Sequence, residues 1–272
     1  MRIALVLALM TCLITGFALF SAQQRWETKP YMQWSKDDVT WVLHYSPWIS
    51  VSAAGVRQEA RLTHDKGVVN GPEGQELPEF APEYDGSLLT VNYVFRLLTA
   101  RPIREALLRS ISLGDIISPI VDIADFGKKS LAEEEQSHLD RFMISYPNSP
   151  ILKGEDEFII IGISLRVGVH ESLRRWTEES NGEELSRMGA SSLMQNARLS
   201  TNTGKKVRLA NYRPAGAGWI TTQLLFPRYL PDRHPLVEFG DKELLLETWI
   251  NGKTVRAKFN LSKMVYKGRL EF

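Results

Sequence analysis

The sequence predicts an α+β protein that is mainly β: an antiparallel β-sandwich or curled sheet with an N-terminal helix and a central helical insertion. Three observations carry this expectation. Many short apolar runs are joined by turn-rich segments, with no βαβ rhythm. An Asn-Gly pair, Asn251-Gly252, lies between two strand-like runs. Across residues 101–147 the apolar spacing changes from two to three and four, as in Ile103, Ala106 and Leu107.

The first element is a helix. Ser35 can cap it, Asp37 and Asp38 suit the positive end of its dipole, and Trp34 can staple onto Val39. Val39, Val42 and Leu43 mark one helical face, and Ser46-Pro47 ends it because the residue before proline avoids helical angles. Trp48 opens an extended run to about Leu62, interrupted at Ala53-Ala54-Gly55. The segment 63–88, rich in Gly, Pro and acids, reads as a mobile surface loop.

Leu89 to Thr99 reads as a strand, with Val91, Tyr93 and Phe95 alternating against Asn92 and Arg96. The helical insertion follows. It begins at Pro102, has a second apolar piece at Ile116 to Phe126, and ends with a helix from Leu131 to Met143. Glu157 to Val169, with Phe158-Ile159-Ile160-Ile161 followed by Ile163, Leu165 and Val167 in alternation, reads as a buried strand that becomes half-buried. Glu171 to Met188 is charged and reads as partly helical. Short strands are expected near Leu193–Leu199, Lys205–Leu209 and Trp219–Phe226, and a last one over Val265–Phe272.

The Asn251-Gly252 turn sets a register for the hairpin on either side of it. Glu247 faces Arg256, and Leu244, Leu246, Thr248 and Ile250 share a core face with Phe259, Ala257 and Val255. Trp249 then falls on the opposite face, beside Thr254 and Leu245. Burial against a helix is the expected fate of Trp249. Exposed, it could stack on sugar rings or on a peptide partner.

The chain starts Met1-Arg2 and continues apolar from Ile3 to Phe20, the pattern of a secretion signal. Cleavage sites are open after Ala18 or around Ser21-Ala22. Left uncut, the 18 residues 3–20 would serve as a membrane anchor, and otherwise the chain has no expected membrane contact. The expectation is therefore an exported protein, periplasmic or extracellular, or anchored if uncut, with residues 23–272 forming one β-rich domain. Cys12, the sole cysteine, falls inside residues 1–22, so neither disulfides nor thiol chemistry enter the remainder. Without those 22 residues, basic and acidic residues balance at 32 each, which makes no electrostatic case for nucleic acid.

Two segments together resemble a group of uncharacterised exported proteins of acidobacterial-type bacteria. One is Trp34-Ser35, Asp37-Asp38 and Ser46-Pro47-Trp48. The other is Phe226-Pro227-Arg228 with Lys263-Met264-Val265-Tyr266-Lys267-Gly268-Arg269-Leu270-Glu271-Phe272. The resemblance implies export and a common fold. It brings no activity and no functional residue. In this reading Trp34 and Trp48 bracket the first helix and glue it to the β core.

No motif for catalysis, metal or cofactor stands out. His170-Glu171 starts like a zinc-protease helix, but the matching positions hold Arg174 and Arg175 rather than His. Gly162-Ile163-Ser164-Leu165-Arg166 lacks the last glycine of a nucleophile elbow and reads as strand interior. Gly216-Ala217-Gly218 reads as a turn, and Asp115, Asp122 and Asp125 as solvated acids. The expected function is non-catalytic: binding, or a part in an envelope assembly, with a protein or carbohydrate partner. The candidate contacts are Trp249, His170, Arg174, Arg175 and Trp176. The alternatives are a hydrolase using carboxylates of the insertion, and a membrane-tethered envelope protein.

Overall fold

In a computed structural model, the structure describes residues 25–58, 88–114, 131–169, 176–179, 190–214, 221–250 and 252–272. After a short helix α1 (Arg25–Thr28) and a 3-10 turn (Tyr31–Gln33) comes α2 (Lys36–Tyr45). Its start is a capping box. The Ser35 hydroxyl accepts from the Asp38 N–H at 3.1 Å, and the Asp38 carboxylate accepts from the Ser35 N–H at 2.9 Å. Val39, Val42 and Leu43 are buried, as their spacing predicts, and α2 ends at Ser46.

The larger sheet has the order β1 (Ile49–Gln58), β2 (Leu88–Leu97), β3 (Phe158–Val169), β8 (Thr222–Pro227) and β7 (Asn211–Arg213), with β4 (Trp176–Glu179) pairing the far end of β3. The smaller sheet is β10 (Lys253–Asn260), β9 (Glu243–Ile250), β5 (Arg198–Thr201) and β6 (Lys206–Arg208). All these pairings are antiparallel. The fold is α+β with more strand than helix, and the strands do not close into a barrel.

Cross-strand pairing puts Tyr93, Phe95, Leu165, Ile163, Leu224 and Phe226 on one face of the larger sheet, all buried. Ser50 shares that face, opposite Phe95, and its hydroxyl accepts from the Lys258 N–H of β10 at 3.0 Å. The smaller sheet therefore lies against this face. Its own inward residues, Leu244, Leu246, Phe259, Ala257 and Leu199, belong to the same apolar core. The smaller sheet's outward face carries the polar and charged side chains.

The helical insertion lies between β2 and β3, as α3 (Arg101–Ser112), α4 (Leu131–Ser145) and α5 (Pro150–Lys153). Arg109 ties it to the N-terminal segment. Its guanidinium donates to the Trp34 carbonyl at 2.9 Å and to the Glu135 carboxylate at 2.6 Å. Trp34 and Trp48, which bracket α2, are buried in the core. With Trp26 they form an aromatic cluster, closed by Tyr266 stacked on Trp26 at 5.6 Å. The Trp48 indole N–H donates to the Glu271 carbonyl at 2.7 Å, joining the two ends of the described chain. The Tyr266 phenol donates to the buried Glu105 carboxylate at 2.6 Å, and burial and that carboxylate push its pKa well up.

Several expectations are corrected. Arg96 does not point to solvent. It is buried, donating to the Leu43 carbonyl at 2.8 Å and the Ser164 hydroxyl at 2.8 Å, because α2 covers the second face of β2. Within the charged stretch Glu171–Met188, read as partly helical, the described residues Trp176–Glu179 form a strand, β4, on the open side of the long β3, and the rest of the stretch lies outside the described residues. Leu193 opens no strand. It lies in a helix, α6 (Ala190–Asn196), and Leu193 and Ala197, four apart, are both buried. Val265–Phe272 is not one strand but a hairpin, β11 (Val265–Tyr266) and β12 (Arg269–Leu270). Lys267 and Gly268, at φ 49° and 76°, form the turn that an Asn-Gly pair would signal more plainly.

The strand interrupted at Ala53-Ala54-Gly55 is continuous, with a bulge between Ala53 and Gly55. Ser164 lies fully buried within β3, so no nucleophile elbow forms there. Leu88, counted in the 63–88 loop, already belongs to β2, while the rest of that loop lies outside the described residues. So do residues 1–22 with Cys12, the piece 116–126, and Gly216 to Gly218. No helix among the described residues is long and apolar enough to cross a membrane.

Candidate functional site

The end hairpin has the register read from its turn. Glu247 faces Arg256, Thr248 faces Val255, and Trp249 faces Thr254, although Asn251 itself lies outside the described residues. Ile250, Leu246 and Leu244 go inward, so Trp249 must go outward. No helix buries it, contrary to expectation. It is 42% exposed, because among the described residues the helices α3, α4 and α5 of the insertion pack elsewhere and the end of α6 alone approaches this side.

Trp249 lies in a groove of about 470 Å³ on the outer face of the smaller sheet, within the range of ligand sites. Gln195 and Asn196, at the end of α6, form one wall, and Thr254 lies across from them. The floor continues along a cross-strand row: Glu247 in β9, Arg198 in β5 and Arg208 in β6. Lys206, two residues from Arg208 in β6, points to the same side.

Charge is unevenly spread along this row. Arg256 donates to the Glu247 carboxylate at 2.9 Å, and Arg198 takes its other oxygen. The Arg256 bond foremost, with Arg198 adding, holds the Glu247 carboxyl below its ordinary value against the opposing effect of burial. Glu247 is thus clamped between two guanidinium groups that favour its ionised form. Arg208 and Lys206 are exposed and have no ion-pair partner among the described residues.

The groove can do three things chemically. The indole offers a flat apolar face, the Gln195, Asn196 and Thr254 side chains offer hydrogen bonds in both directions, and the cations offer charge-assisted bonds to an anion. Among the described residues Glu247 is the one carboxylate lining it, whereas glycoside hydrolysis takes two carboxyl groups with separated pKa values. Among the described residues no group of His, Asp or Glu is placed to hold a metal ion.

Of the residues predicted as contacts, the described Trp249 is located in this groove. His170, Arg174 and Arg175 lie outside the described residues, as do Asp115, Asp122, Asp125 and Glu171. The backbone of Trp176 is in β4, opposite Gly168 in the other sheet. Sequence reasoning missed Arg198, Arg208 and Lys206. Their trace is the alternation of basic residues with Leu199 and Val207, but only the pairing of β5 with β9 brings them to Trp249. Compared with known proteins, the chain matches no family model, no curated protein and no solved structure.

Proposed function

We propose that this is an exported, non-catalytic binding protein whose groove at Trp249 takes a saccharide. The carrying observation is the half-exposed indole set among hydrogen-bonding side chains on a rigid sheet face. A pyranose ring presents an apolar C–H face and an equatorial belt of hydroxyls. The first packs on an indole and the second suits Gln195, Asn196 and Thr254. A protein partner would call for a broader apolar patch than one tryptophan, since Ala197 and Val207 in the groove are buried. The clamped Glu247 supports binding without turnover. The apolar leader after Arg2 supports export.

Affinity electrophoresis through gels containing soluble polysaccharides, neutral and acidic, tests this reading. At least one polymer should retard the wild type, and Trp249→Ala should abolish the retardation while leaving the circular dichroism spectrum unchanged. Equal retardation of wild type and variant, or none on any polymer, would overturn it.

A further inference from the structure

We infer that the saccharide is acidic, bearing a carboxylate that Arg208 and Lys206 receive. This rests on the reading of the groove as a saccharide site and adds the ligand's charge. Among the described residues three cations line the groove, Arg198, Lys206 and Arg208, against one carboxylate, Glu247. That carboxylate is already matched twice over, by Arg198 and by Arg256, which lies just outside the lining. The positive charge of Arg208 and Lys206 is therefore left for a ligand. This excess is local, because basic and acidic residues nearly cancel over the whole chain, with a formal net charge of +1.

The placement is as informative as the count. Arg208 pairs with Arg198 across β5 and β6, in the row next to the one holding Trp249 and Asn196. β6 lies two strands from β9 and Arg208 one row along, so the Arg208 and Trp249 backbones are roughly 12 Å apart. A sugar unit next to the one stacked on the indole spans that gap toward the extended guanidinium, so the carboxylate belongs to the neighbouring unit of a polyuronate. A guanidinium fork bonds a carboxylate bidentately, which favours this group over a lone hydroxyl. Like-charge proximity adds a second argument. Arg198 and Arg208 side by side on one face repel each other, and an anion between them relieves that repulsion.

The test compares polygalacturonate with its methyl-esterified form, which keeps the sugar and masks the charge. Polyglutamate supplies charge without sugar. At physiological salt the protein should bind polygalacturonate about tenfold more tightly than the ester, as one charge-assisted contact implies. Arg208→Gln and Lys206→Gln should each erode that preference, Lys258→Gln should not, and Trp249→Ala should remove binding to both polymers. Equal affinity for the ester would overturn the acidic ligand and leave the saccharide reading standing. Binding of neutral polysaccharides but of neither pectic polymer would do the same. Equal binding of polyglutamate, insensitive to Trp249→Ala, would overturn both, as would no binding to any polymer.

Discussion

Thr248→Val is expected to stabilise the protein by about 1–2 kcal/mol. Thr248 is 1% exposed and faces the core between Leu246 and Ile250, with Val255 across the strand pair. Its hydroxyl has no hydrogen-bond partner. An unmet buried hydroxyl costs about 1–3 kcal/mol relative to water. Valine keeps the branched shape and replaces the hydroxyl by a slightly larger methyl group. Part of the gain is set against the imperfect fit of a slightly larger group, hence the lower end of the range. For a chain of this size the melting temperature should rise by about 2–4 °C per kcal/mol. Urea unfolding followed by circular dichroism should show a higher midpoint at unchanged slope. Thr248→Ser, which keeps the hydroxyl and loses the methyl, should instead destabilise by about 1 kcal/mol. If valine proved neutral or harmful, the hydroxyl would be bonded in solution, and this account of the β9–β10 core would be wrong.

Val255→Asp should unfold the smaller sheet, since Val255 is 6% exposed, whereas Arg256→Asp on the solvent side should cost about 1 kcal/mol; equal melting temperatures for the two variants would contradict the hairpin register. Asp241 has a depressed pKa: burial raises it, but bonds from the Glu238 N–H at 2.8 Å, Thr203 at 2.7 Å and Lys205 at 2.9 Å outweigh that. Its contribution to stability is therefore complete above its ordinary value of 3.8 and is lost as pH falls through the lower folded value. Asp241→Asn should accordingly reduce stability at neutral pH and narrow the gap to wild type in acid, as thermal melts from pH 7 to pH 2 would report. Cell fractionation with N-terminal sequencing should find a mature protein starting after Ala18 or near Ser21-Ala22, and a membrane-bound protein starting at Met1 would establish the tethered form instead.

Much of the local structure was legible because its determinants are neighbours in the chain. The capping box, the end of α2 at Ser46-Pro47 and the hairpin register around Asn251-Gly252 each depend on residues within a few positions of one another. The failures fall where distant segments decide. Arg96 reads as a solvent-side residue until α2 lies over it, and Leu193 reads as strand until its partner Ala197 is seen on the same buried side. Lys267-Gly268 is a turn that the favoured residue pairs do not announce.

The candidate site divides the same way. That Trp249 lies opposite the core face of its hairpin was determined by the sequence alone, because side chains alternate along a strand and the turn sets the register. Whether that face is covered was not, since covering it depends on where the helical insertion docks, a matter of packing among segments far apart in the chain. The tertiary structure sends the insertion to the aromatic cluster at Trp34, leaves Trp249 open, and brings Arg198, Arg208 and Lys206 beside it through the pairing of β5 with β9 and β6.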